Sequence, residues 1–257
     1  MIVSDAFLPA DMSDPRTATS AGGVIGVLGG MGPLATVDFL SKMLAATPAT
    51  NDQEHVPLVV SAIPQVPDRT LAFRGEGESP LPAMVDSARR LKAAGAGLVV
   101  IVCNTAHLWF DELHEAVGLP MIHLVDAAID EAFAIAGPGG RVGLLGTDAT
   151  VASGLYINRV TTAAQPIQWL LPTAREMTEL VMPGIEAVKA GALDAGRSRL
   201  AAAAEALKGR GATAVILGCT EIPVVLDAKT SPLPAIDATA ALARRAVSWS
   251  RAQRAAS

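Results

Sequence analysis

The sequence predicts an α/β protein built as two similar domains, each a parallel sheet flanked by helices, the two related by a pseudo-twofold axis. Three observations carry this reading. Fully apolar runs of strand length, VPLVVSAIP (56–64) and GLVVIVCNT (97–105), alternate with helix-length stretches, the pattern of parallel strands covered on both faces. The run GGVIGVLGGMG (22–32) breaks into glycine and is followed by Pro33, Leu34, Ala35 and Thr36, which reads as strand, tight turn and helix. Two landmarks then recur at nearly one offset. Ile25 to Gly29 matches Val142 to Gly146 at 117 residues, and Gly95 to Cys103 matches Gly211 to Cys219 at 116. Within each half the strand-end glycine and the cysteine are 74 and 73 residues apart (Gly29 to Cys103, Gly146 to Cys219), a spacing that marks a duplicated unit.

The elements follow in order. Residues 1–22 carry Asp5, Asp11 and Asp14 where a secretory leader needs positive charge and an apolar run, so they read as an extension outside the core. The first domain, 23–130, then has the glycine-broken strand, a helix from Pro33, the strand at 56–64, an extended loop PQVPDRTLAFRGEGESP (64–80), a helix over MVDSARRLKAAGA (84–96) and the strand at 97–105. The boundary is expected between Leu124 and Ala136, ahead of the Gly-Pro-Gly-Gly loop at 137–140. The second domain, 131–236, repeats the order. Residues 237–257 read as one helix that Asp237 caps, expected to pack back on the first domain.

Composition narrows the function. With 51% hydrophobic residues and a mean hydropathy of +0.39, 257 residues can bury a core without a disulfide or metal staple. No stretch reaches the roughly 18 uninterrupted apolar residues of a membrane span, and a cytoplasmic protein is expected. Charge is mildly acidic, 20 basic against 25 acidic residues. There is no basic cluster for nucleic acid or an anionic membrane, so the expected partner is a small molecule.

The loop Gly30-Met31-Gly32-Pro33-Leu34-Ala35 satisfies the dinucleotide pattern G-x-G-x-x-G/A, so a nicotinamide-dependent oxidoreductase has to be weighed. The repeat-equivalent loop Gly146-Thr147-Asp148-Ala149 lacks the pattern. Backbone N–H groups at a helix start bind a carboxylate as readily as a phosphate, and glycine also serves simply where a turn excludes a side chain.

The only two cysteines, Cys103 and Cys219, each end an apolar strand and are followed by polar sequence, Asn104-Thr105-Ala106-His107 and Thr220-Glu221-Ile222-Pro223. Ligands gather beyond the carboxyl ends of parallel strands. If the halves face each other, the two thiols oppose one another across the cleft, and such a pair can remove a proton from one face of a carbon and return one to the other. A carboxylate held by preorganised donors would help stabilise the carbanion, and Asn104, Thr105 and Thr220 stand where such donors are needed. Competing readings are thiols filling a core, a zinc site from Cys103, His107 and Cys219 that lacks a fourth ligand, a redox pair, and a Cys103–His107 hydrolase that leaves Cys219 unexplained. His107 reads as structural, or as a neighbour that lowers the pKa of Cys103. Glu221 reads as a residue that orients a donor. Arg69 is either a loop-bracing partner of Asp68 or a carboxylate fork, and Lys189 an ordinary charge in a last helical turn.

At these residues the chain resembles the aspartate/glutamate racemase family of cofactor-independent amino-acid racemases. The matching segments are GVIGVLGGMGPLAT (23–36), TPATNDQEHVPLVV (47–60), IPQVPDRT (63–70), VCNTAH (102–107), GIEAVKAG (184–191) and LGCTEIP (217–223), within a likeness that runs from about residue 23 to about residue 240. The resemblance implies an active site between two domains with Cys103 and Cys219 as the acid/base pair. It further implies Arg69 and Lys189 on the substrate's side-chain carboxylate, Asn104, Thr105 and Thr220 on its α-carboxylate, and Met31 lining the pocket. Also implied are an aspartate or glutamate substrate, no cofactor or metal, and a homodimer. A silent acidic amino-acid-binding protein stays open as the non-enzymatic alternative.

Overall fold

A computed structural model describes residues 22–159 and 167–255; the extension read over residues 1–22 lies, through residue 21, outside them. The first half runs β1 (Ile25–Gly29), α1 (Pro33–Ala46), β2 (Leu58–Ala62), α2 (Arg69–Arg74), α3 (Leu81–Ala93), β3 (Leu98–Ile101), α4 (Phe110–Val117), β4 (Met121–Ile122) and α5 (Leu124–Ala136). The second runs β5 (Arg141–Leu145), α6 (Asp148–Ala152), β6 (Gln168–Leu170), α7 (Ala174–Glu176), α8 (Met182–Lys189), α9 (Leu193–Gly209), β7 (Ala214–Leu217), β8 (Ala235–Asp237) and α10 (Ala238–Ala255). Both sheets are wholly parallel and four-stranded, with the same order: β2-β1-β3-β4 and β6-β5-β7-β8.

The central strands are apolar throughout because both faces are covered. Every residue of β1, β3 and β7 is buried. On one face of the first sheet Leu28, Val99 and Ile101 pack with Met84, Ala88 and Leu91 of α3. On the corresponding face of the second sheet, Leu145, Val215 and Leu217 pack with Ile185 and Val188 of α8 and Leu200, Ala204 and Leu207 of α9. The remaining two faces share a single core, in which Ile25, Val27 and Val100 join Val142, Leu144 and Ile216 through Leu124, Ala128, Leu242 and Ala246.

That shared core rests on an exchange of helices. Although α5 follows the first sheet, it packs on β5, β7 and β8, while α10, which follows the second sheet, packs on α1 and β4. Residues 130 and 131, where the sequence reading divides the domains, lie inside α5. Asp237 caps α10, its Oδ1 accepting from the Thr239 and Ala240 N–H groups at 2.9 and 3.0 Å. Lys42 of α1 donates to Thr239 Oγ1 at 2.8 Å and pairs with Asp237 at 2.6 Å, and Ser250 Oγ donates to the Gly23 carbonyl at 2.6 Å.

One segment read as extended loop contains a helix. Asp68 caps α2 by accepting from Thr70 and Leu71 N–H at 2.8 and 2.9 Å, and Gly75 ends it in the left-handed region at φ +74°. Six residues between a cap and a glycine stop are too few to show helical periodicity, which is why the sequence pattern hides it. Among the described residues no helix is long and apolar enough to cross a membrane.

Candidate active site

Parallel strands deliver the residues that follow them to one edge of a sheet, and here the two edges meet. A cavity of empty volume ≈ 300 Å³ is lined by residues following β1 (Met31), β3 (Cys103, Asn104, Thr105), β5 (Thr147) and β7 (Cys219, Thr220, Glu221), with Asp68, Arg69 and Thr70 from the start of α2 and Lys189 from the end of α8. All eight residues singled out from the sequence, Met31, Arg69, Cys103, Asn104, Thr105, Lys189, Cys219 and Thr220, therefore face one space. Both cysteines are free and buried.

The thiols sit in unlike surroundings. Cys219 Sγ donates to Glu221 Oε2 at 3.0 Å, and Thr220 Oγ1 donates to the same oxygen at 3.3 Å. Burial, with the Glu221 charge added, pushes the Cys219 thiol well above its ordinary range against the opposing pull of Lys189. Cys219 is thus held as the neutral thiol. Cys103 instead lies within electrostatic reach of Arg69, whose guanidinium is held above its usual range although burial alone would lower it, because Cys103, Asp68 and Glu221 outweigh that loss.

Arg69 is braced from behind. Its Nη1 donates to the Val66 and Pro67 carbonyls at 3.2 and 3.0 Å, while its buried Nε has no partner among the described residues. Asp68 spends its carboxylate on the α2 cap, which leaves the guanidinium face available. Lys189 stands at the cavity with no hydrogen bond or ion pair to the described residues. Loss of solvent works to lower its pKa, but Cys219, Glu221 and Cys103 raise it overall. A π-turn, Met177–Val181, precedes the helix that carries it, a distortion frequent at functional sites.

The donors are held across the cleft. Asn104 Oδ1 accepts from the Tyr156 hydroxyl at 2.5 Å, which fixes the amide with its Nδ2 buried and unpartnered among the described residues. Thr105 Oγ1 lies 3.0 Å from Thr147 Oγ1 and 2.9 Å from Thr150 Oγ1, and those two are 3.0 Å apart, so three hydroxyls from both halves form a buried triangle. Farther out, Arg74 of α2 pairs with Asp148 of α6.

His107 holds the backbone. Its Nε2 accepts from the Leu124 N–H at 3.1 Å, so Nδ1 carries the proton and donates to the Cys103 carbonyl at 2.8 Å. Burial lowers its pKa to about 4. It therefore touches Cys103 through the main chain and stays neutral, with both ring nitrogens engaged. No group of three or more His, Cys, Asp or Glu among the described residues could hold a metal ion.

The glycine loop has a steric reason. Gly30 has φ +91°, and a Cβ there would lie 2.4 Å from Ile63 N, while its own N–H donates to Thr36 Oγ1 at 2.8 Å. The strand beside it, β2, ends in Ser61 and Ala62 and is followed by Ile63, with no acidic side chain for a ribose. Sequence reasoning missed Tyr156, Thr147 and Thr150. Thr147 had a signal, since it is the repeat counterpart of Gly30; Tyr156 had none.

Residues 28–246 match the profile of the Asp/Glu/hydantoin racemase family. The chain is 28% identical over 231 residues to the broad specificity amino-acid racemase RacX of Bacillus subtilis, covering 88% of this chain and 97% of that one. Among solved structures, Picrophilus torridus aspartate racemase superposes with a TM-score of 0.80 at 31% identity over 90% of this chain and 95% of that one. The fold is also that of Francisella tularensis glutamate racemase, with a TM-score of 0.61 at 16% identity over 89% of this chain and 81% of the other. With the family profile spanning both sheets and the cleft between them, the chain belongs to the Asp/Glu/hydantoin racemase family.

Proposed function

We propose that the cavity racemises an acidic amino acid, aspartate or glutamate, by a two-thiol mechanism that needs no cofactor. Family membership makes the chain an amino-acid racemase; the acidic substrate and the two-base chemistry are our reading. What carries it is that both cysteines of the chain and the two cations Arg69 and Lys189 line one cavity. The cations neutralise the side-chain carboxylate, and Arg69 offers its unpartnered Nε to it. Asn104 Nδ2, flanked by Thr105 and Thr220, holds the α-carboxylate and stabilises the charge that builds as Cα loses its proton.

In one direction the Cys103 thiolate takes the proton, so a Cα–H bond breaks and an S–H bond forms. Cys219 then gives its proton to the opposite face, breaking its S–H bond and leaving a thiolate. The reverse direction exchanges the roles. One thiol and one thiolate are needed at once, so rate against pH is bell-shaped.

The test is incubation with L- or D-aspartate in heavy water without added cofactor, reading Cα deuteration and enantiomer ratio together. Wild type should interconvert the enantiomers with deuterium uptake. Cys103→Ala and Cys219→Ala should each lose at least about 100-fold in racemisation. A folded single mutant that racemises at the wild-type rate would end the two-base reading.

A further inference from the structure

The two halves of the site are related by the repeat, and the places where they differ show what they distinguish. Cys103, Asn104 and Thr105 correspond to Cys219, Thr220 and Glu221. One side therefore ends in hydrogen-bond donors, the other in a carboxylate. Glu221 is 3% exposed, and the cost of burying an ionised group is large unless each oxygen finds a partner. Its Oε2 is satisfied by Cys219 and Thr220. Its Oε1 is buried with no partner among the described residues, in a residue that lines the cavity.

Gly32 stands beside Oε1, in an adjoining pocket that Arg69, Lys189 and Glu221 also line. A Cβ added at Gly32 would sit 3.0 Å from Oε1, the one described atom beyond its chain neighbours within 4 Å of it.

We propose that Glu221 Oε1 is the acceptor for the substrate's α-ammonium, and that the site consequently takes open-chain amino acids with a free, protonated amine rather than ring-closed or N-acylated relatives. The inference rests on the acidic amino-acid reading above and adds its third anchor. An aminodicarboxylate carries two anions and one cation; Arg69 with Lys189 and Asn104 with its neighbouring hydroxyls meet the anions, and the free oxygen of Glu221 meets the cation. An N-acyl group or a hydantoin ring removes that cation and leaves the buried Oε1 without a charged donor. Glu221 makes this contact from the same carboxylate that accepts the Cys219 hydrogen bond, so amine binding and the thiol are registered against one group.

The experiment is calorimetric titration of wild type, Glu221→Gln and Gly32→Ala with aspartate, succinate and N-acetylaspartate. Succinate keeps both carboxylates and lacks the amine. Wild type should bind aspartate about 10- to 100-fold more tightly than succinate or N-acetylaspartate, the range expected for a charge-assisted hydrogen bond. In Glu221→Gln that preference should collapse to within about threefold, with succinate affinity unchanged or improved. Gly32→Ala, which leaves the carboxylate in place and crowds it, should lower the same preference, and it keeps the test in force should the glutamine variant fail to fold. A Glu221→Gln protein that retains the wild-type preference for aspartate overturns the ammonium contact and leaves the racemase reading standing. Wild type that binds none of the three overturns the acidic-substrate reading and this inference with it.

Discussion

Lowering the pH from 7 to 5 should loosen this protein by a calculable amount, because two buried histidines are held neutral. His107 and His123 are 3% and 5% exposed, and their pKa values are lowered from 6.5 to about 4 and about 2, in both cases chiefly by burial. Since the folded values lie below the unfolded one, the unfolded chain binds more protons in acid. Stability is complete above 6.5 and is lost as the pH falls towards the folded values. At pH 5 each histidine has crossed about 1.5 units, worth about 2 kcal/mol, so the pair lowers stability by about 4 kcal/mol. The carboxylates held low by hydrogen bonds, Asp68, Glu54 and Asp227, lose their contribution only nearer pH 4, which keeps the window clean. Urea unfolding at pH 7, 6 and 5 is the assay. With a slope of about 3 kcal/mol per molar for a chain of this size, the midpoint should fall by about 1.3 M. His107→Gln, which does not titrate, should remove about half of the fall. Midpoints that stay level from pH 7 to 5 would refute the assignment of both rings as buried neutral braces, and with it the account of how the Cys103 carbonyl is held.

Two further substitutions probe the support of the site. Tyr156→Phe removes the donor to Asn104 Oδ1 and should cost about 1–3 kcal/mol of stability by leaving a buried acceptor unmet. It should also slow racemisation, an effect that must vanish in an Asn104→Ala background if the tyrosine acts through the amide; additive losses in that double-mutant cycle would break the link. Gly30→Ala places a methyl 2.4 Å from Ile63 N at φ +91° and should destabilise the fold by roughly 3 kcal/mol or more, against a small effect for Gly32→Ala in the same denaturation series. Equal midpoints for the two alanine variants would show that the loop yields more easily than its packing implies.

Much of the architecture is legible in the chain because it is written in neighbouring residues. A strand covered on both faces must be apolar along its length, so β1, β3, β5 and β7 announce themselves, and the same landmarks met twice at 116 to 117 residues place Cys103 and Cys219 at equivalent strand ends. Parallel topology then sends both to the same kind of edge. A helix as short as α2, set by one cap and one glycine, carries no such periodicity and stayed hidden.

The sequence by itself thus determined the duplicated α/β plan and the two strand ends that carry Cys103 and Cys219, since each follows from local pattern, whereas Arg69 and Lys189 were tied to the site only through the family resemblance. Only the tertiary structure decided the partners. The contacts that orient the site join residues far apart in the chain: Tyr156 to Asn104, 52 positions away, and Thr105 to Thr147 and Thr150, 42 and 45 away. The exchange of α5 and α10 between the sheets brings the halves close enough to make them. Hydrogen bonds are short and directional, so a sequence can supply a hydroxyl and an amide, but only the packing of two sheets through one core brings them within reach. The same holds for Glu221, whose free oxygen becomes visible only once the space beside Gly32 is seen.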